Sequence, residues 1–179
     1  MNTVMTAGMH PRWRRLVAHV ATRNIPPGPA LDVATGTGDL AFALALRPEV
    51  TAVIGLDFVP EMLAQARRKQ KGPALNKVQW VEGDALSLPF ADGTFSCATV
   101  AFGLRNVADL RLAISEMTRV VRPGGSVAVL DMTRMSGRRP GRPLLTFYFN
   151  HIVPLMGRLL AGDKEAYTYL PESVEGFPA

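Results

Sequence analysis

Five short apolar runs recur along the chain, and helical spacing or a tight turn separates one from the next. This alternation constrains the fold more than any other feature. Residues 29–34 (Pro-Ala-Leu-Asp-Val-Ala) read as a buried strand and 39–47 as the helix after it. A second strand over 50–57 precedes Pro60, which suits the first turn of a helix over 60–71, where its missing N–H would have no partner anyway. Residues 77–83, 95–102 and 126–132 are the third, fourth and fifth strands, with helical spacing over 110–121 and a sharp turn at Pro123-Gly124-Gly125. Strands alternating with helices pair in parallel through right-handed crossovers, so the expectation is a doubly wound α/β sheet. Such sheets bind ligands beyond the carboxyl ends of their strands, where the strand order reverses. A helical segment over 9–23 and a helical cap over 141–175 flank the α/β core, 29–133, in one domain of 179 residues.

Composition narrows the function classes. With 47% hydrophobic residues the chain is no disordered segment. Twenty Lys plus Arg against fifteen Asp plus Glu leave a charge of +5, most of it arginine, which permits an acidic partner without requiring one. The arginines cluster over 134–143, but no aromatic stacking platform accompanies them, so nucleic acid is not expected. Cys97 is the single cysteine, and His10, His19 and His151 show no metal-ligand spacing, so neither an internal disulfide nor a metal is expected. Residues 1–9 lack a signal-peptide pattern, and the apolar stretch 143–162 is broken by Asn150, His151, Pro154 and Arg158. A cytoplasmic setting follows as the expectation.

The turn Ala34-Thr35-Gly36-Thr37-Gly38-Asp39-Leu40-Ala41 joins the first strand to its helix. Gly36 can take a positive φ, Gly38 lets a ligand approach the backbone, and the helix start offers unpaired N–H groups. Asp57, nineteen residues beyond Gly38, ends the second strand, where a carboxylate can accept both hydroxyls of a ribose. The spacing also satisfies G-x-G-x-x-G/A, so a dinucleotide site fits it, as does a bare strand-to-helix turn. The neighbouring carboxylates discriminate. Asp32 before the turn and Asp39 after it would repel a pyrophosphate and attract a ligand carrying ammonium and sulfonium groups. Asp84, in Glu82-Gly83-Asp84-Ala85 at the end of the third strand, adds an acceptor for an adenine amino group or else caps its own turn. Acids at three strand ends suit S-adenosylmethionine better than NAD.

Asp32-Val-Ala-Thr-Gly-Thr-Gly-Asp39, Gly55-Leu-Asp57, Gly83-Asp-Ala85, Leu88-Pro-Phe90 and Arg122-Pro-Gly-Gly125 resemble class I S-adenosylmethionine-dependent methyltransferases. More specifically, Ala101-Phe-Gly-Leu-Arg-Asn-Val107, Arg119-Val-Val-Arg-Pro-Gly-Gly125 and Tyr169-Leu-Pro-Glu-Ser-Val174 resemble the ubiquinone/menaquinone biosynthesis C-methyltransferases. Matching segments run from His10-Pro-Arg-Trp-Arg-Arg15 to Phe177-Pro178. The resemblance implies a Rossmann-like, mostly parallel sheet and S-adenosylmethionine as cofactor. Thr37, Asp57, Asp84 and Ala85 would contact it, beside Asp32, Gly36 and Gly38 of the turn. It implies C-methylation of a polyprenylated hydroquinone, demethylmenaquinol or a ubiquinol precursor. Members often carry Ser where Ala101 stands, so that hydroxyl is missing here. Arg105 and Asn106, after the fourth strand, are the candidates for activating the acceptor carbon. A phenol-like hydroxyl with a pKa near 10 costs roughly 4 kcal/mol to ionise at pH 7, and a fixed cationic donor offsets much of that. Guanidinium is too firmly protonated to be the base, so oxyanion stabilisation is favoured, with water carrying the proton. The alternative is that Arg105 pairs with Asp109 or another acid and only fixes the loop. His10 and His151 are further candidate proton acceptors.

Forty-seven residues follow Met132 and read as loop and helix, so the sheet is expected to lack the last two strands of the class I methyltransferase fold. Family members also carry a helical segment ahead of the position of His10, where nine residues stand here. Strand five would then be an apolar edge, and a homo-oligomer covering it is expected. Residues 144–149 and 152–160 suit either packing over the sheet or a groove for a prenyl tail, with arginines against anionic lipid, peripheral to the membrane. The competing readings are a methyltransferase for another small molecule and a truncated, non-catalytic remnant that binds S-adenosylmethionine.

Overall fold

The computed structural model describes residues 10–131, and Pro11–Asp131 form one compact unit. In chain order the elements are helix α1 (His10–Thr22), β1 (Gly28–Val33), α2 (Asp39–Ala45), β2 (Val50–Asp57), α3 (Pro60–Lys69) and a 3-10 turn (Pro73–Leu75). They continue with β3 (Val78–Glu82), β4 (Phe95–Ala101), a second 3-10 turn (Leu104–Asn106), α4 (Leu110–Val120) and β5 (Val121–Leu130). All strand pairs are parallel, in the order β3-β2-β1-β4-β5, so the order reverses between β1 and β4. The doubly wound expectation holds.

Central strands in such a sheet are covered on both faces and lose the alternation of a half-buried strand. β4 shows it: six of its seven residues are buried. Leu31, Val33, Leu44, Val53, Leu56, Phe95, Val100 and Met117 are nearly or fully removed from water. Each large side chain buried in this way stabilises the fold by about 1.5–3 kcal/mol. α1 seats Ala18 and Ala21 in the core and exposes Leu16 and Val20. Ser126 on β5 donates to the Ala21 carbonyl at 2.5 Å. Pro60 begins α3 as its position predicts, and Asp109 caps α4 by accepting from the Leu112 N–H at 3.0 Å.

Most element boundaries shift by one or two residues from the sequence reading, and two of the shifts have plain physical reasons. α3 stops at Lys69 because Gln70 turns extended, and its side-chain amide donates to the carbonyls of Leu75 and Val78. β5 begins at Val121, five residues earlier than expected, and Pro123-Gly124-Gly125 lies inside it. The register absorbs these residues: Phe95 faces Val121 and Cys97 faces Ser126. Gly124 takes φ +80°, and a Cβ on Gly125 would collide with the Ser96 carbonyl, so glycine permits the close approach. Among the described residues β5 pairs with β4 alone, and no helix is long and apolar enough to cross a membrane. β5 ends at Leu130, two residues before the expected Met132, with Asp131 already outside it. The expected cap over 141–175, the prenyl groove and the two missing strands concern residues outside those described.

Candidate active site

The site gathers at the carboxyl ends of β1, β2 and β4, where the strand order reverses. β1 leaves the sheet through a turn in which Ala34, Gly36 and Gly38 all have positive φ (+50°, +57° and +82°). For alanine this conformation is strained, and strain of this kind persists only where surrounding contacts impose it. The Thr35 N–H donates to the Leu56 carbonyl at 2.9 Å and the Gly36 N–H to Asp57 Oδ2 at 2.6 Å, so β2 holds the turn from outside. A Cβ on Gly36 would meet nothing within 4 Å, which marks open space in front of the turn. Gly38 differs. A Cβ there would collide with the Trp80 indole on β3, so packing too requires glycine at this position. Gly55 makes room for the same ring, whose Nε1 donates to Gln70 Oε1 at 2.7 Å.

The acids divide by role. Asp32 lies inside the protein, 1% exposed, accepting from Thr35 Oγ1 at 2.6 Å and Thr99 Oγ1 at 2.9 Å. Burial pushes its carboxyl up to about 6, against the lowering effect of those hydroxyls. Its oxygens therefore brace the turn from behind. Asp57 Oδ1 also accepts from the Val59 N–H at 3.0 Å, so each of its oxygens takes one backbone donor. A carboxylate has about four acceptor positions, which leaves room for a diol. Asp39 corrects an expectation. Arg14 Nη1 donates to its Oδ2 at 2.9 Å and Lys69 Nζ to its Oδ1, so two cations already answer its charge. Lys69 also donates to Thr37 Oγ1 at 2.9 Å, a bond that does not use the Thr37 hydroxyl proton.

Asp84 is exposed and caps its own turn, Oδ1 accepting from the Leu86 N–H at 2.9 Å, while Ala85 is buried at 8%. Phe58, which the sequence reading passed over, directly follows Asp57 and is 72% exposed. Its signal was an aromatic residue directly after the strand-ending acid.

The loop after β4 joins this turn by contact. A Cβ on Gly103 would lie 2.6 Å from that of Ala34, so glycine lets the two segments touch. Phe102 carries φ +59°, an outlier for a bulky residue, and donates its N–H to the Leu130 carbonyl at 2.7 Å. Arg105 follows in the 3-10 turn, its guanidinium 5.9 Å from the Phe102 ring centroid. Its Nη1 donates to Asp131 Oδ1 at 3.0 Å, both side chains being largely buried. Asp109, the partner suggested by the sequence, caps α4 instead. Asn106 is exposed, its N–H donating to the Gly103 carbonyl at 3.0 Å. Among the described residues no cluster of three His, Cys, Asp or Glu side chains is placed to hold a metal ion. Gly103 and Asp131 were missed by the sequence reading. The signal for Asp131 was a lone acid in an otherwise apolar strand.

The sequence profile of the ubiE/COQ5 methyltransferase family matches residues 1–179. The chain belongs to this family. The demethylmenaquinone methyltransferase of Thermus thermophilus is 44% identical over 185 residues, covering 100% of this chain and 80% of that protein. Its counterpart in Deinococcus radiodurans is 43% identical over 178 residues, covering 99% and 73%. Among solved structures, the YcgJ protein from Bacillus subtilis matches with a TM-score of 0.61 at 28% identity, over 80% of this chain and 57% of that one. The ubiE/COQ5 site as built here suits S-adenosylmethionine. Space opens before Gly36, Asp57 retains acceptor capacity at a strand end, and the exposed Phe58 follows it in sequence.

Proposed function

We propose that the protein transfers a methyl group from S-adenosylmethionine to a ring carbon of a polyprenylated hydroquinone, demethylmenaquinol or a ubiquinol precursor. The observation that carries this reading is the contact of Gly103 with Ala34, which sets the Arg105 loop against the cofactor turn. When bound, the cofactor supplies an electrophilic methyl group. The chain's own residues bind it and prepare the acceptor. Asp57 accepts the ribose hydroxyls, Thr37 donates toward the amino-acid end, and Asp84 and Ala85 face the base. Asp32, Gly36 and Gly38 fix the turn that these contacts need.

Arg105 donates to a hydroxyl oxygen of the acceptor and stabilises its anion, offsetting much of the roughly 4 kcal/mol of ionisation at pH 7. Four of its five N–H groups remain after the bond to Asp131. Asn106 adds a neutral donor at the same turn. The ring carbon gains the methyl group and gives up its proton, through water, which restores aromaticity. The ion pair with Asp131 also favours a second reading, in which Arg105 only ties the loop.

A prenylated acceptor resides in lipid, so the protein works peripherally at a membrane surface; the arginines over 134–143 support this. Among the described residues β5 pairs with β4 alone, which supports a homo-oligomer at its other edge, and sedimentation of the full chain tests this. Incubation with a deuterated methyl donor and reduced demethylmenaquinol, followed by mass spectrometry, tests the reaction itself. A product carrying the label on carbon is expected. Cofactor binding without transfer to any quinol would contradict the proposal.

A further inference from the structure

We propose that Asp131 is a positioning residue for this reaction, acting through Arg105. The inference rests on the reading above, in which Arg105 meets the acceptor oxygen.

Asp131 follows the last residue of β5, and Arg105 follows β4, the neighbouring strand. The ladder pairs Ala101 with Leu130, and the Phe102 N–H extends it one step further onto the Leu130 carbonyl. Phe102 then leaves the sheet through its left-handed backbone, and the chain returns Arg105 to Asp131 at 3.0 Å. The side chains of Arg105 and Asp131 are 10% and 2% exposed. An arginine near a ligand loses much rotamer freedom when it holds one geometry, and a guanidinium withdrawn from water needs a matched acceptor. The carboxylate meets both needs. It fixes one nitrogen of the planar fork, the Phe102 ring lies beside the cation, and the remaining donors keep a defined direction. The acid is itself withdrawn from water against the arginine, at 2% exposure.

Preorganisation of this kind is sensitive to small displacements, about 1 Å being enough for on the order of 100-fold in rate. The experiment compares Asp131→Ala, Asp131→Glu, Arg105→Ala and the double variant Asp131→Ala/Arg105→Ala. Turnover is read at saturating S-adenosylmethionine and reduced demethylmenaquinol. Melting temperature and affinity for S-adenosylhomocysteine are read in parallel. Asp131→Glu keeps the counter-charge but moves the guanidinium by one methylene, so it folds even where Asp131→Ala is fragile. The expected kcat losses are on the order of 100-fold for Asp131→Ala and roughly tenfold for Asp131→Glu, with S-adenosylhomocysteine affinity unchanged in both. The double variant is expected to turn over no more slowly than Arg105→Ala, because both substitutions remove one function.

Wild-type kcat in Asp131→Glu would show that the carboxylate is a mere counter-charge and would overturn the proposal. Losses that multiply in the double variant would overturn it too, since Asp131 would then act outside Arg105. Both results leave the Arg105 reading standing if Arg105→Ala is itself impaired. Wild-type turnover in Arg105→Ala is the separate result that removes that reading and the proposal with it.

Discussion

Asp32 sits with both oxygens bonded to threonine hydroxyls and almost no contact with water, so its ionisation opposes folding. Its carboxyl is raised from 3.8 to about 6, chiefly by burial. Between those values the folded protein holds a proton that the unfolded chain has lost. The stabilising contribution is therefore complete below about pH 4 and disappears as pH rises through about 6. Asp32→Asn keeps the shape and removes the charge. Its melting temperature relative to wild type should climb from pH 4 to pH 8, toward a gain on the order of 1–3 kcal/mol, and a constant gap would contradict this. Arg105→Ala should reduce kcat on the order of 100-fold while cofactor affinity stays near wild type, as removal of an oxyanion donor does. Unchanged turnover would take Arg105 out of the mechanism. At this scale the strand-ending place of Asp57 and the positive φ of Gly36 were legible, because a strand-ending acid and a glycine turn are local signals. The state of Asp39 was not: its two cations, Arg14 and Lys69, lie 25 and 30 residues away in sequence. The packing of Gly38 against Trp80 was hidden for the same reason.

Elements are joined at this site by few residues, and Arg119 on α4 is the plainest case. Its guanidinium donates to the carbonyls of Leu88 and Phe90, to Asp92, and to both oxygens of Glu116. Glu116 in turn accepts from the Leu88 N–H at 2.8 Å. The segment that follows Asp84 and Ala85 is thereby tied to a helix packed on the sheet. Hydrogen bonding to Arg119 holds the Glu116 carboxyl down, to about 2, so its contribution is present above pH 4.5 and lost as pH falls toward 2. Arg119→Ala should loosen the segment bearing Asp84 and weaken cofactor binding by roughly tenfold, about 1.4 kcal/mol, with a smaller effect on kcat at saturation. Calorimetry measures the first and steady-state kinetics the second; equal affinity in both proteins would contradict the tie. The helix itself was legible from its spacing. Its reach to a loop some thirty residues away was not, because periodicity reports a face and not a partner. The early start of β5 was hidden likewise: Pro-Gly-Gly reads as a turn wherever it stands, and only the nearness of Ser96 shows that the strand passes through it.

For the molecule as a whole, the alternation of runs was enough to give a parallel sheet with its order reversing beside β1, and hence the end at which ligands bind. The choice between cofactors was less direct than the acids suggested. With Asp39 answered by Arg14 and Lys69, and Asp32 turned inward, the proposed reading leaves selectivity to Asp57 and to the exposed Asp84. A ligand at 100 times its Kd stabilises a protein by about 2.7 kcal/mol, so S-adenosylhomocysteine should raise the melting temperature by several degrees and NAD should not. The reverse pattern would return the turn to the dinucleotide reading. The central claim concerns the acceptor: its ring carbon becomes reactive because Arg105 stabilises a neighbouring oxyanion. Methyl transfer is best measured side by side on reduced demethylmenaquinol, on its oxidised quinone and on the hydroquinol with both hydroxyls capped as ethers. Carbon methylation of the free hydroquinol alone is predicted, and comparable transfer to the capped ether or the quinone would contradict the account.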